Sequence, residues 1–149
     1  MNRPNFSVRL FIAIVVACLA GPLAFAQDVV GKWKTIDDET GEPRSIVEIF
    51  EKSGKVYGKV VKLLRKPEED PDPVCNECDE DDDRYNKKVI GMEIIRELSK
   101  SGDGWEGGTI LDPKNGKVYR CHLWVQEGEL KVRGYWGPFY RTQTWQKSQ

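Results

Sequence analysis

Apolar and polar residues alternate along this chain in short stretches, and each stretch ends at turn-forming residues. The first three run from Val29 to Ile36 (VVGKWKTI), Ser45 to Lys52 (SIVEIFEK) and Lys55 to Leu64 (KVYGKVVKLL). Gly91 to Leu98 (GMEIIREL), Trp105 to Leu111 (WEGGTIL), Lys117 to Gln126 (KVYRCHLWVQ), Glu129 to Trp136 (ELKVRGYW) and Phe139 to Gln146 (FYRTQTWQ) follow. A period of two marks a half-buried strand, so the pattern predicts about eight strands. Ser53-Gly54 and Glu127-Gly128 are compact hairpin turns in which glycine supplies positive φ. Asp37 to Gly41 and Asp112-Pro113-Lys114-Asn115-Gly116 are longer polar turns. No stretch shows the period of an amphipathic helix. Consecutive hairpins predict one antiparallel meander, and eight strands hide their edges best by closing into a barrel. A sandwich is the alternative.

Alternation also assigns faces. On the strand from Lys117, the residues Tyr119, Cys121, Leu123 and Val125 share one side, and Arg120, His122 and Trp124 share the other. On the next strand Leu130, Val132, Gly134 and Trp136 oppose Lys131, Arg133 and Tyr135. On the last, Phe139, Arg141, Gln143 and Trp145 alternate with Tyr140, Thr142 and Thr144; both of its faces carry aromatics, so alternation alone does not choose the inward one. A barrel of this size either fills with side chains or holds one small ligand.

The first 26 residues read as a signal peptide. Arg3 and Arg9 precede the apolar run Leu10 to Ala17, and Ala24-Phe25-Ala26 fits a cleavage pattern. The run is shorter than the roughly 20 residues a membrane span needs. Export to the periplasm or beyond is expected, with a mature domain of 27–149 and no transmembrane segment in it. Val15-Val16-Ala17-Cys18 also resembles a lipobox, which makes a lipid anchor on Cys18 the minor alternative.

Charge is segregated. The whole chain has a formal net charge of −1, yet ten of its acids fall between Glu68 and Asp83, where no basic residue occurs. A basic body therefore carries an acidic loop at 66–88, and Cys75 and Cys78 lie inside it as a Cys-x-x-Cys pair. Adding Cys121 and His122 makes up a zinc-like set, but neighbouring residues on a strand point to opposite faces and do not reach one ion without a bulge. Redox chemistry asks for a helix start that lowers a thiol pKa, whereas surrounding acids raise it. A local disulfide between Cys75 and Cys78 fits an oxidising compartment better. Cys121 is then a free thiol on the apolar face. Asp79 to Asp83 lacks the spacing of a calcium loop, so a solvated acidic loop is expected and no metal.

Other classes find little support. His122 is the only histidine, and no nucleophile elbow is present. Acids are abundant, but nothing singles out a catalytic pair. Arginines and aromatics interleave near the C-terminus as in single-strand binders, yet export removes the nucleic-acid partner.

The segments GKWKTIDDETGEPRSIVEIFEKSGKVYGKVVKLL, GGTILDPKNGKVYRCHLWV and LKVRGYWGPFYRTQTW, with the central Cys-x-x-Cys between the first two, resemble an exported bacterial family known as domain of unknown function 2147. The resemblance spans nearly all of the mature chain. It implies a small exported barrel of lipocalin-like or fatty-acid-binding-like shape and supplies neither an activity nor catalytic residues. Gly31-Lys32-Trp33 also resembles the Gly-x-Trp opening of lipocalins, in which the tryptophan closes the barrel floor beneath an arginine from a late strand. That resemblance makes Arg141 or Arg133 the expected partner of Trp33; the plain alternative is an ordinary core aromatic.

The expected function is a non-enzymatic binding barrel without cofactors, for a small apolar or amphiphilic, anionic ligand. Aromatic rings supply contact area and arginine holds a carboxylate. The candidate contacts are Trp33, Trp105, Tyr119, Arg133, Tyr135, Trp136, Tyr140 and Arg141. Barrel closure is the competing role for the aromatics of the last strands. An envelope module holding a protein partner through the acidic loop or Tyr135 to Tyr140 is the second functional reading, and an enzyme of unassigned chemistry the third.

Overall fold

The computed structural model describes residues 28–149, so the signal-peptide and lipobox readings lie outside the described residues. Eight antiparallel strands form a closed barrel in chain order: β1 (Gly31–Ile36), β2 (Pro43–Lys52), β3 (Lys55–Leu63), β4 (Glu93–Ser101), β5 (Gly104–Asp112), β6 (Lys117–Gln126), β7 (Glu129–Trp136) and β8 (Phe139–Lys147). The hairpin turns follow from local chemistry. Ser53 and Gly54 have φ of 54° and 74°, and Glu127 and Gly128 have 54° and 79°, so both two-residue turns carry the positive φ pair whose twist suits a hairpin. Simple alternation is broken at several bulges, among them Gly107 of β5, where the pairing with β6 skips a residue, and Glu97 of β4. Glu97 takes a φ of 62°, and the pairing with β3 slips there, from Gly58↔Ile95 to Val56↔Leu98. That extra residue is a bulge, and it carries β4 past Leu98 to Ser101.

The strand directions give the barrel two unlike ends. The turns at 53–54, 102–103 and 127–128 close one end; the connections 37–42, 64–92, 113–116 and 137–138 rim the other, the mouth. The closed end is solid. Val29, Trp33, Leu98, Leu123, Leu130 and Trp145 are all buried there, with Trp105 and Val125 packed against them. Trp33 donates its indole N–H to the Val29 carbonyl at 2.8 Å. Its ring is covered by the Lys147 ammonium, 4.5 Å from the centroid. The expected arginine partner is thus corrected to a lysine. The β1–β8 ladder holds two residue pairs (Trp33↔Lys147, Lys34↔Gln146), which places Lys147, and neither Arg133 nor Arg141, beside Trp33.

The long acidic connection between β3 and β4 is folded and held. Cys75 and Cys78 form a disulfide and are buried, together with Val89 and Met92. Cys75 lies 3.6 Å from the Pro113 carbonyl, and Val74 bridges Lys88 within the loop. The loop therefore reaches the β5–β6 turn. Leu111 belongs to this layer: it faces away from its neighbour Ile110 on the strand, yet is only 1% exposed. The expectation of a solvated loop holds only for its outer acids.

Candidate functional site

The inner faces of β6, β7 and β8 change character from floor to mouth. The register stacks Leu130 beside Trp145, Val132 beside Gln143, Gly134 beside Arg141 and Trp136 beside Phe139. Along this stack Leu130, Val132 and Trp145 are buried, whereas Trp136 is 47% and Phe139 62% exposed. Apolar rings left in water at a concave rim cost free energy unless something covers them. Tyr119 completes the shelf, meeting Trp136 edge-on at 5.9 Å between centroids, and Trp136 meets Phe139 at 6.2 Å. Gly134 has no side chain, so its position beneath the shelf stays open to the Tyr119 ring, which lies 3.6 Å from where a Cβ would stand.

Two polar side chains share this wall. Arg141 pairs with Asp38 of the β1–β2 turn. Gln143 donates to the same carboxylate oxygen at 3.3 Å and accepts from the Trp145 indole N–H at 3.2 Å. The mouth thus offers an aromatic shelf ending in a guanidinium, with half of the Arg141 side chain in water. Such a surface suits an apolar body with an anionic end.

The candidate residues separate into two groups. Tyr119, Trp136 and Arg141 meet at the mouth; Trp33 and Trp105 lie on the same inner face but at the packed floor, where Trp105 stacks under Lys100. Arg133, Tyr135 and Tyr140 are on the outer face. There the Arg133 guanidinium sits 5.0 Å from the Trp124 ring and 4.4 Å from Tyr140, and its Nε donates to Thr142 at 2.7 Å. Beside them a groove of about 350 Å³ is lined by Glu106, Gly107, Arg120, Cys121, His122 and Tyr135. A second cleft, of about 370 Å³, lies against the acidic loop between Arg84 and Arg96.

Phe139, Asp38 and Gln143 were missed by sequence reasoning. Alternation put Phe139, Arg141 and Gln143 on one face, but nothing local chose that face as inward. Asp38 and Gln143 are 105 positions apart, and only closure of the barrel brings them together.

The remaining chemistry is quiet. Cys121 is a free, buried thiol, and burial pushes its pKa well above the ordinary range. His122 points the opposite way and stacks on Trp124 at 4.8 Å. Among the described residues no group of three or more His, Cys, Asp or Glu is placed to hold a metal ion. No helix among them is long and apolar enough to cross a membrane.

Comparison with known proteins agrees with the architecture. A family model described as an uncharacterized protein conserved in bacteria (DUF2147) matches residues 31–147. Among solved structures the chain is similar to protein HP1028 from Helicobacter pylori, described as belonging to the lipocalin family. The two superpose with a TM-score of 0.68 over 82% of this chain and 84% of that one, at 20% identity. At that identity the likeness shows the fold alone. No curated protein matches the chain.

Proposed function

The chain belongs to the DUF2147 family, and from that membership and its lipocalin-like fold we propose that it binds a small amphiphile with an anionic head at the barrel mouth. The observation that carries this reading is the inner wall of β6–β8: a packed floor gives way to exposed Trp136 and Phe139 beside Arg141. The apolar body lies on the Tyr119–Trp136–Phe139 shelf, and Arg141 receives the head. The floor is filled, so the ligand is held near the rim and not deep in the barrel. The leader-like N-terminal pattern supports an exported setting, where such amphiphiles are met outside the cytoplasm.

Titration with dodecanoate, followed by tryptophan fluorescence and calorimetry, tests the proposal. Saturable binding is expected. Trp136→Ala removes much of the shelf and weakens binding about tenfold, the equivalent of roughly 1.4 kcal/mol of lost apolar contact. Arg141→Gln weakens dodecanoate more than dodecanol. No saturable binding of either compound, or full affinity in Trp136→Ala, would sink it.

A further inference from the structure

The head-group position at the mouth already holds a carboxylate. The β1–β8 ladder ends, toward the mouth, at the pair Lys34↔Gln146. A register shift between Thr35 and Ile36 then bends β1 toward β2, where Thr35 and Ser45 hydroxyls meet at 2.8 Å. Beyond that point β8 pairs with β7 alone, from Phe139 to Trp145. Asp38 reaches across the gap at the mouth, where its Oδ2 receives both Arg141 and Gln143. Both donors belong to the inner wall.

The turn that carries Asp38 does not depend on it. Asp37 accepts the N–H groups of Glu39 and Thr40 at 3.0 Å each, and the Asp37 and Glu42 backbones close the loop at 2.9 Å. Arg44 lies 3.8 Å from the Asp37 carboxylate. Asp38 is thus a free-standing contact on a self-supported turn. Its pair with Arg141 is wet, with side chains 30% and 56% exposed, so it is a weak bond open to exchange.

We propose that Asp38 is a built-in competitor: its carboxylate occupies the place of the ligand's anionic head on Arg141, latches the β1–β8 gap, and is displaced when an anionic amphiphile binds. This rests on the mouth being the binding site. Its consequence is a tempered affinity for anions. A neutral amphiphile gains nothing by opening the latch, while an anion replaces one carboxylate with another and frees the gap. Apparent affinity for anions is lowered by the fraction of molecules in which the latch is closed.

Dodecanoate and dodecanol are titrated into the wild type, Asp38→Asn, Asp38→Ser, Arg141→Gln and the double variant Asp38→Asn/Arg141→Gln, with circular dichroism confirming the fold of each. Both Asp38 variants are expected to tighten dodecanoate by about two- to five-fold, the worth of an exposed ion pair, and to leave dodecanol unchanged. In the Arg141→Gln background the Asp38 substitution is expected to change nothing. Unchanged or weaker dodecanoate binding in both Asp38 variants overturns the latch but leaves the mouth site standing. A gain that persists without Arg141 marks general charge repulsion and also overturns it. Absence of binding by every variant overturns the mouth site itself, and the latch with it.

Discussion

At Gly116 the acidic loop and the β5–β6 turn touch backbone to backbone. A Cβ added there would stand 1.6 Å from the Glu77 carbonyl oxygen, and φ is +70°. Neither partner is a flexible side-chain tip, so the loop itself has to move. Gly116→Ala is expected to cost about 1–3 kcal/mol in urea unfolding and to expose the buried Cys75–Cys78 layer, read as faster exchange of the Cys75 amide. Trp33 teaches a different lesson at the same scale. The resemblance of Gly31-Lys32-Trp33 to the lipocalin opening implied a cation over the ring, against the plainer reading of an ordinary core aromatic. Which cation was not legible, because Lys147 reaches the ring through strand register and not through sequence proximity.

Among the elements, the β3–β4 connection departs furthest from its expected character. Its acids are partly paired with specific arginines: Asp82 binds Arg84 through both oxygens, and Asp83 binds Arg96 the same way at 2.7 and 2.9 Å. Arg84 is buried and also donates to the Glu93 carbonyl, which fastens the loop to the start of β4. These bonds hold the Asp82 and Asp83 carboxyls below the usual carboxylate range, through the Arg84 and Arg96 hydrogen bonds respectively. A carboxyl whose pKa falls on folding lends stability that is complete above its unfolded value and is lost as pH drops through the folded one. The loop is therefore expected to stay docked from pH 7 down to about 4, the unfolded carboxylate range, and to loosen only below it. Amide shifts of Val89 followed by NMR should show this acid transition, and Asp82→Asn should remove part of its amplitude. The charge run itself was plain in the sequence, as were the strands around it. Its attachment was not, since Arg96 lies outside the run and Arg84 just past its edge, and periodicity says nothing about an irregular segment.

For the molecule as a whole, the division of labour is between a packed floor and an unfinished mouth. Leu123→Ala deletes side-chain volume at the floor and should cost about 2–5 kcal/mol, whereas Phe139→Ala at the rim should stay within about 0.5 kcal/mol; urea midpoints distinguish the two. If Phe139 proved as costly, the rim aromatics would be closing the barrel instead of serving a ligand. Strand number, order and the antiparallel meander followed from turn spacing and alternation. Which face of β8 turned inward waited on the ring itself, because a strand with aromatics on both sides is ambiguous until its neighbours are in place. That ring has one weak link. Every ladder joins strands adjacent in sequence except the seam of β1 with β8, which is two residue pairs wide. During folding, six of the seven hairpins close over short turns and the β3–β4 pair over residues 64–92, while the seam must bring together residues 33–34 and 146–147 across nearly the whole domain. Ring closure is then the last event of assembly, and the indole of Trp33 is among the last groups to leave water.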